Sequence, residues 1–310
     1  MIKYYLTILL ISISAYNVCG IAKERYTPKS SGEVVSHSYY TLSYVNHAEQ
    51  AEWVYYELTP QMINGSAHRR DDFRVDTKLS KGSAELKDYV GSGYDRGHLC
   101  PAASMTLNKK SMSESFFMSN MSPQHPSFNR GAWKKLEEQV REWVLLDSLL
   151  VVVSGPVLSN DMKTIGANRV AVPNNFYKVI YSPKSDKMIA FIMPNRKITE
   201  PIKDYIVTVD SVESVTRIDF FNSLPDTQEE SLEGFSNSLI WSFNGESKSS
   251  RSVAKESGSV PESKDKSEVI TTNSNAITTQ CKGVNKSGTR CKNMTKSSNG
   301  FCYKHQAQAT

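Results

Sequence analysis

The chain has 310 residues, 39% of them apolar, and a formal net charge of +5 at pH 7. That apolar share excludes a chain disordered throughout, and the length suits one large domain with a smaller companion. The mild positive excess excludes little, but it fits a polyanionic partner better than a polycationic one.

Residues 1–20 differ from the rest. Lys3 gives a positive start, Tyr4 to Tyr16 is mostly apolar, and Val18-Cys19-Gly20 offers a cleavage point. This pattern predicts a secretory signal peptide. The apolar run falls short of the roughly 20 residues a bilayer span needs. Cys19 would suit a lipid anchor, but bulky Val18 before it argues for cleavage and release. The expected locations are therefore secreted or periplasmic, with no stable membrane insertion once the signal is removed.

Residues 21–33 read as a flexible lead-in, and 34–243 have globular composition. Gly131 to Leu146 reads as a helix whose buried face carries Trp133, Leu136, Val140 and Trp143 at helical spacing. Leu149 to Val153, Tyr177 to Tyr181 and Met188 to Ile192 read as strands, and Glu229 to Trp241 as a weaker helix. Residues 244–280 are Ser, Lys, Glu and Thr with almost no large apolar side chain, which predicts a disordered linker. Residues 281–310 form a small terminal module. No internal repeat is visible.

Chemistry concentrates in three stretches of the large segment: Asp95-Arg96-Gly97-His98, then Asn120-Met121-Ser122-Pro123-Gln124, then Asn129-Arg130-Gly131-Ala132-Trp133-Lys134-Lys135-Leu136-Glu137. Hydrolysis of a phosphodiester needs an activated water, positive charge on the non-bridging oxygens and stabilisation of the leaving oxygen. Histidine takes a proton near neutrality, arginine matches phosphate, and a hard divalent cation is held by oxygen ligands. On a helix Asn129, Trp133 and Glu137 are four residues apart, so Asn129 and Glu137 can face a common region. Asn129, at the predicted helix start, is also a natural N-cap.

These three ordered motifs resemble the DNA/RNA non-specific endonuclease family. Arg70-Asp71-Asp72-Phe73, Val153 to Leu158, Val172-Pro173 with Phe176-Tyr177-Lys178, and Asp219 to Pro225 extend the resemblance over about 34–243. It implies a mixed α/β fold with a central antiparallel sheet and a ββα-metal site. By resemblance His98 is the general base and Asn129 the direct ligand of one Mg²⁺ or Mn²⁺ ion. Glu137 would hold a water of that ion, Asn120 would orient the site and Arg96 would contact phosphate. An upstream arginine would stabilise the transition state; Arg70 is the candidate, with Arg69 and Arg74 close by. DNA and RNA would both be substrates, giving 5′-phosphate and 3′-hydroxyl ends. Cys100 stands where the family usually has Ala, a mild change if the thiol is buried. The chain sets no oligomeric state, a homodimer being one option. A non-catalytic nucleic-acid binder and a toxin or effector nuclease are the alternative readings; the intact His98, Asn129 and Glu137 oppose the first, and the export signal favours simple secretion over the second.

Of five cysteines, Cys281, Cys291 and Cys302 cluster near His305. Three thiolates and an imidazole suit a closed tetrahedral Zn²⁺ site, and so short a segment needs a staple. The module resembles a short Cys₃His unit appended to bacterial proteins. A disulfide with one spare thiol is the alternative in an oxidising compartment. Lys282, Lys286, Arg290, Lys292, Lys296 and Lys304, with no acidic residue from 281 to 310, would let it hold polyanionic substrate.

Overall fold

The computed structural model describes residues 25–236, 238–243, 279–284, 290–291, 294–295, 299–301, 305 and 308. The expected signal peptide and nearly all of the expected linker, as well as Cys302, lie outside the described residues. The chain divides into two compact units, 1–241 and 242–310. Among the described residues, no helix is long and apolar enough to cross a membrane.

The strands of the first unit are β1 (Glu33–Ser36), β2 (Thr41–Val45), β3 (Gln50–Leu58), β4 (Asp95–His98), β5 (Met121–Gln124), β6 (Leu150–Pro156), β7 (Thr164–Ile165), β8 (Val170–Ala171), β9 (Asn175–Ser182), β10 (Lys187–Pro194) and β11 (Ile206–Val207). Seven of them build one antiparallel sheet in the order β1-β2-β3-β6-β9-β10-β11. The mixed α/β class and the central antiparallel sheet are as expected. So are the three expected strands, each longer by a few residues as β6, β9 and β10.

The central strands are buried along almost their whole length, so both sheet faces are covered and the apolar runs are continuous rather than alternating. Side chains still leave alternate faces. Trp53, Tyr55, Val151, Val153, Tyr177 and Val179 form one core with Val209 and Val212 of helix Val209–Thr216 and with Phe220 and Phe221. The alternate residues face the other way. There Phe176 packs with Trp133 at 5.8 Å and Phe128 at 5.6 Å, and Phe191 stacks on Trp143 at 6.3 Å between ring centroids.

That second face is covered by helix Lys134–Asp147, hereafter the long helix. Leu136, Val140 and Trp143 are buried on it and Trp133 just before it, as the spacing predicts. Its start differs from the expectation. Phe128–Trp133 forms a π-type turn, with Gly131 at φ −110° and ψ −107° outside helical geometry. The carbonyl of His125 accepts both the Phe128 and the Asn129 amides at 2.9 Å, which starts the turn tightly before the departure from regular geometry at Gly131. Asn129 is therefore inside the first turn rather than at the cap. The weaker helix also differs: it runs Asp226–Glu233, started by Pro225 and ended at Gly234, with a separate 3₁₀ turn at Ser238–Ile240.

In the second unit, Thr279–Gln280 pairs antiparallel with Met294–Thr295.

Candidate active site

Strands β4 and β5 pair antiparallel, with Asp95 opposite Gln124 and His98 opposite Met121. The π turn and the long helix follow directly. This ββα unit carries all three sequence motifs. Buried Gln124 explains the glycine of the first: a Cβ on Gly97 would lie 2.2 Å from the Gln124 side chain. The unit is tied to the sheet through Ser122, whose hydroxyl donates to Gln50 Oε1 at 2.5 Å, and through Asn195, whose amide donates to the Pro123 carbonyl at 3.0 Å.

A cleft of about 830 Å³ opens beside this unit. Arg69, Arg96, His98, Asn129, Arg130, Lys134, Glu137 and Arg141 are among its lining residues. Five cations face three carboxylates there, Asp71, Asp95 and Glu137, so the cleft suits an anionic ligand.

His98 is buried between Phe116 and Phe73, at ring distances of 5.0 and 5.8 Å. Its Nε2 is buried with no hydrogen-bond partner among the described residues. Burial, then the positive charges of Arg69 and Arg96, push its pKa down to about 3. The imidazole is thus neutral, and a proton acceptor, across the physiological range.

Asn120 is fully buried and does not line the cleft. Its Oδ1 accepts from the Cys100 amide at 2.8 Å, and its Nδ2 donates to the carbonyls of Cys100 at 2.9 Å and Ser115 at 2.8 Å. It fixes the chain immediately after His98. Asn120→Ala leaves these buried groups unpaired, each costing about 1–3 kcal/mol. The expected result is a fall of at least 2 kcal/mol in unfolding free energy by urea titration; an unchanged midpoint would contradict this.

Asn129 points its amide nitrogen at Asp95 Oδ2, 2.9 Å away. Asp95 also accepts two bonds from Arg130, at 2.8 and 2.6 Å. Partial burial works against its charge, but the bonds from Arg130 and Asn129 hold the carboxyl below the usual range. With its donor end committed, Asn129 has a carbonyl oxygen that could hold a cation. That oxygen and the Glu137 carboxylate are hard donors on one cleft wall, a set that fits Mg²⁺ or Mn²⁺ bound largely through water.

Glu137 is half-buried, and desolvation raises its pKa above the carboxylate range against the pull of Lys178 and Arg141. Lys178 on β9 is fully buried, donates to Ser154 Oγ, and lies 4.5 Å from the centre of the Trp133 ring. Burial pushes its pKa down and Glu137 pulls it back up. Replacing Lys178 with methionine removes that opposing charge, so the Glu137 pKa should rise. The acid limb of kcat/KM should move to higher pH in a pH–rate series at fixed Mg²⁺. A limb that stays in place would show that Lys178 does not act through Glu137.

The upstream arginine in the cleft is Arg69, not Arg70. Around residue 70 the chain has no regular structure, so neighbouring side chains diverge. Both are exposed, but Arg69 packs over Phe116 at 5.1 Å, bonds Asp71 at 2.6 Å and lines the cleft, whereas Arg70 lies outside it. Arg74 is committed to the Ser113 carbonyl at 2.9 Å and packs on Phe117. Arg96 lies in the cleft with its guanidinium over Phe73 at 4.3 Å. Cys100 is fully buried, and burial pushes its thiol pKa well up.

The site residues that sequence reasoning missed are Asp95, Lys178 and Arg141. Arg141 Nη1 is buried in the cleft wall with no hydrogen-bond partner among the described residues, a donor ready for an anion. A signal existed for Lys178, a lone charge inside the apolar run Phe176 to Tyr181.

Residues 20–227 match the family model described as DNA/RNA non-specific endonuclease. The chain belongs to this family. It is 34% identical over 246 residues to a nuclease of Nostoc sp. strain PCC 7120, covering 74% of this chain and 88% of that one. It is 32% identical over 213 residues to human mitochondrial endonuclease G, covering 63% and 72% respectively. A chain in the crystal structure of the EndoG/EndoGI complex, which concerns EndoG inhibition, superposes with TM-score 0.62 at 35% identity, over 68% of this chain and 94% of that one. The endonuclease thus hydrolyses nucleic acid. Residues 278–310 match a separate model, a domain of unknown function.

Proposed function

We propose that this endonuclease is exported and cuts DNA and RNA without regard to the sugar, using a divalent cation at Asn129 and His98 as general base. The observation that carries this reading is the ββα unit. It puts the buried, unpartnered Nε2 of His98 and the Asp95-anchored amide of Asn129 on one cleft lined by five cations.

Magnesium or manganese bound there would neutralise charge on the scissile phosphate and the leaving oxygen. His98 takes the proton of the attacking water. Its pKa in the free cleft is depressed partly by Arg69 and Arg96. Substrate phosphates resting on those guanidinium groups cancel that repulsion, so the imidazole becomes a stronger base when substrate is in place. Arg69 is the arginine we assign to the transition state, and Arg96 to phosphate contact. Glu137 faces the same space as a carboxylate, charged above its raised pKa. The groups assigned here act on phosphate, which DNA and RNA share, and this supports cleavage of both sugars.

The amino-terminal pattern at 1–20 supports export. The test uses the chain from residue 21 on single- and double-stranded DNA and on RNA with Mg²⁺. Both sugars should be degraded to fragments that ligase joins without prior phosphorylation, since the 5′ ends carry phosphate. Fragments that require a kinase first, or a substrate left intact, would overturn the reaction as written.

A further inference from the structure

We propose that Cys281, Cys291, Cys302 and His305 hold one structural zinc ion and that this ion takes the place of a core in the carboxy-terminal unit.

The unit has little else to fold around. Among the described residues its buried apolar cluster consists of Cys281 and Cys291 alone, while Val284 is 45% exposed. The ligand atoms of Cys281, Cys291 and His305 all lie within 4.8 Å of one another, and all three residues are buried. Tetrahedral zinc with sulfur at about 2.3 Å and nitrogen at about 2.0–2.1 Å requires a sulfur–nitrogen edge of about 3.6 Å. Cys281 Sγ and His305 Nδ1 are 3.5 Å apart.

The surroundings are built for a thiolate and an imidazole. The Gly283 amide donates to Cys281 Sγ at 3.3 Å, the bond that stabilises negative sulfur at a metal. A Cβ on Gly283 would fall 2.3 Å from both Cβ and Cγ of His305, so only glycine admits the ring. The Gly283 carbonyl in turn accepts the Cys291 amide at 2.8 Å, which ties the second ligand to the first. The Gln308 side chain brackets Val284 from both sides, donating at 2.8 Å and accepting at 2.9 Å, and so fixes the turn that carries His305 against the Cys281 loop.

Cys302 enters from the sequence, with two residues between it and His305. Four protein ligands close the coordination shell, which marks the site as structural rather than catalytic. Thiolates select zinc over the magnesium used in the nuclease cleft. Cys281 and Cys291 are not joined to each other. The ion is independent of the nuclease site, so either reading can fail alone.

The test is elemental analysis and thiol counting on the full chain, purified and then loaded with zinc under reducing conditions. About one zinc per chain is expected, lost in Cys291→Ser and in Cys302→Ser and kept in His305→Cys. Gly283→Ala should weaken zinc binding about 10–100-fold. Cobalt loading should give the intense visible bands of a tetrahedral thiolate site. Cleavage of a short DNA duplex by Cys291→Ser should match the parent, because no residue of this cluster lies in the cleft. A chain that takes up no zinc, a zinc content unchanged in Cys291→Ser and Cys302→Ser, or a protein as isolated with two of the cluster's thiols oxidised to a disulfide would overturn the proposal.

Discussion

Replacing His98 with alanine is expected to lower kcat on both DNA and RNA by about 10²–10⁴-fold, with little change in KM. In the proposed reaction the imidazole serves as proton acceptor rather than as a phosphate contact, so its loss should appear in the chemical step. His98→Gln keeps a polar side chain of similar reach and should be equally inactive. A loss confined to KM would place His98 in substrate binding instead. The same residue has a stability signature. Its pKa in the folded protein is pushed from 6.5 down to about 3, so the unfolded chain binds the extra proton between those values. Stability present above pH 6.5 is therefore lost as the pH falls toward 3, by up to about 1.4 kcal/mol per pH unit. His98→Gln should flatten that part of the curve in urea titrations. A variant with the parent's acid dependence would show that His98 does not titrate as a buried neutral group.

Asn129→Ala is expected to have an effect of similar size for a different reason. In the proposed reaction it removes the side-chain oxygen that would hold the cation, and a metal's stabilisation of developing charge is worth several kcal/mol, or about 10³-fold in rate. Raising Mg²⁺ should recover part of the loss in Asn129→Ala and none of it in His98→Ala. Asp95→Ala tests the support behind it. Without Asp95 the Asn129 amide loses the acceptor that sets its orientation, and outer-shell partners of this kind are worth about 10–100-fold in metal affinity or activity. The ranking Asn129→Ala below Asp95→Ala below parent, read from activity against Mg²⁺ concentration, checks both. Equal activity in Asp95→Ala and parent would mean that the Asn129 orientation does not depend on Asp95.

Much of this site was legible because the family motifs are contiguous in sequence. His98 is on β4, Asn120 in the 3₁₀ turn that leads into β5, Asn129 in the π turn and Glu137 on the long helix that follows, so local spacing carried most of the geometry. Three features were hidden. Arg69 and Arg70 are adjacent in an irregular stretch, and only packing against Phe116 decides which one reaches the cleft. Lys178 reaches Trp133 and Ser154 through sheet register, which no local pattern reports. The π turn at Phe128–Trp133 departs from regular geometry at Gly131, whereas helical periodicity assumes one regular turn. The strands β6, β9 and β10 were readable from their β-branched runs, but their neighbours in the sheet were not. Pairing of β3 with β6 joins residues about a hundred positions apart.

The most direct measurement is cleavage of plasmid DNA and of RNA by the chain from residue 21, run with Mg²⁺, with EDTA, and with His98→Ala beside the parent. The account predicts that both substrates are degraded by the parent with Mg²⁺, and neither with EDTA or by His98→Ala. Degradation that persists in EDTA, or in a folded His98→Ala protein, would contradict it.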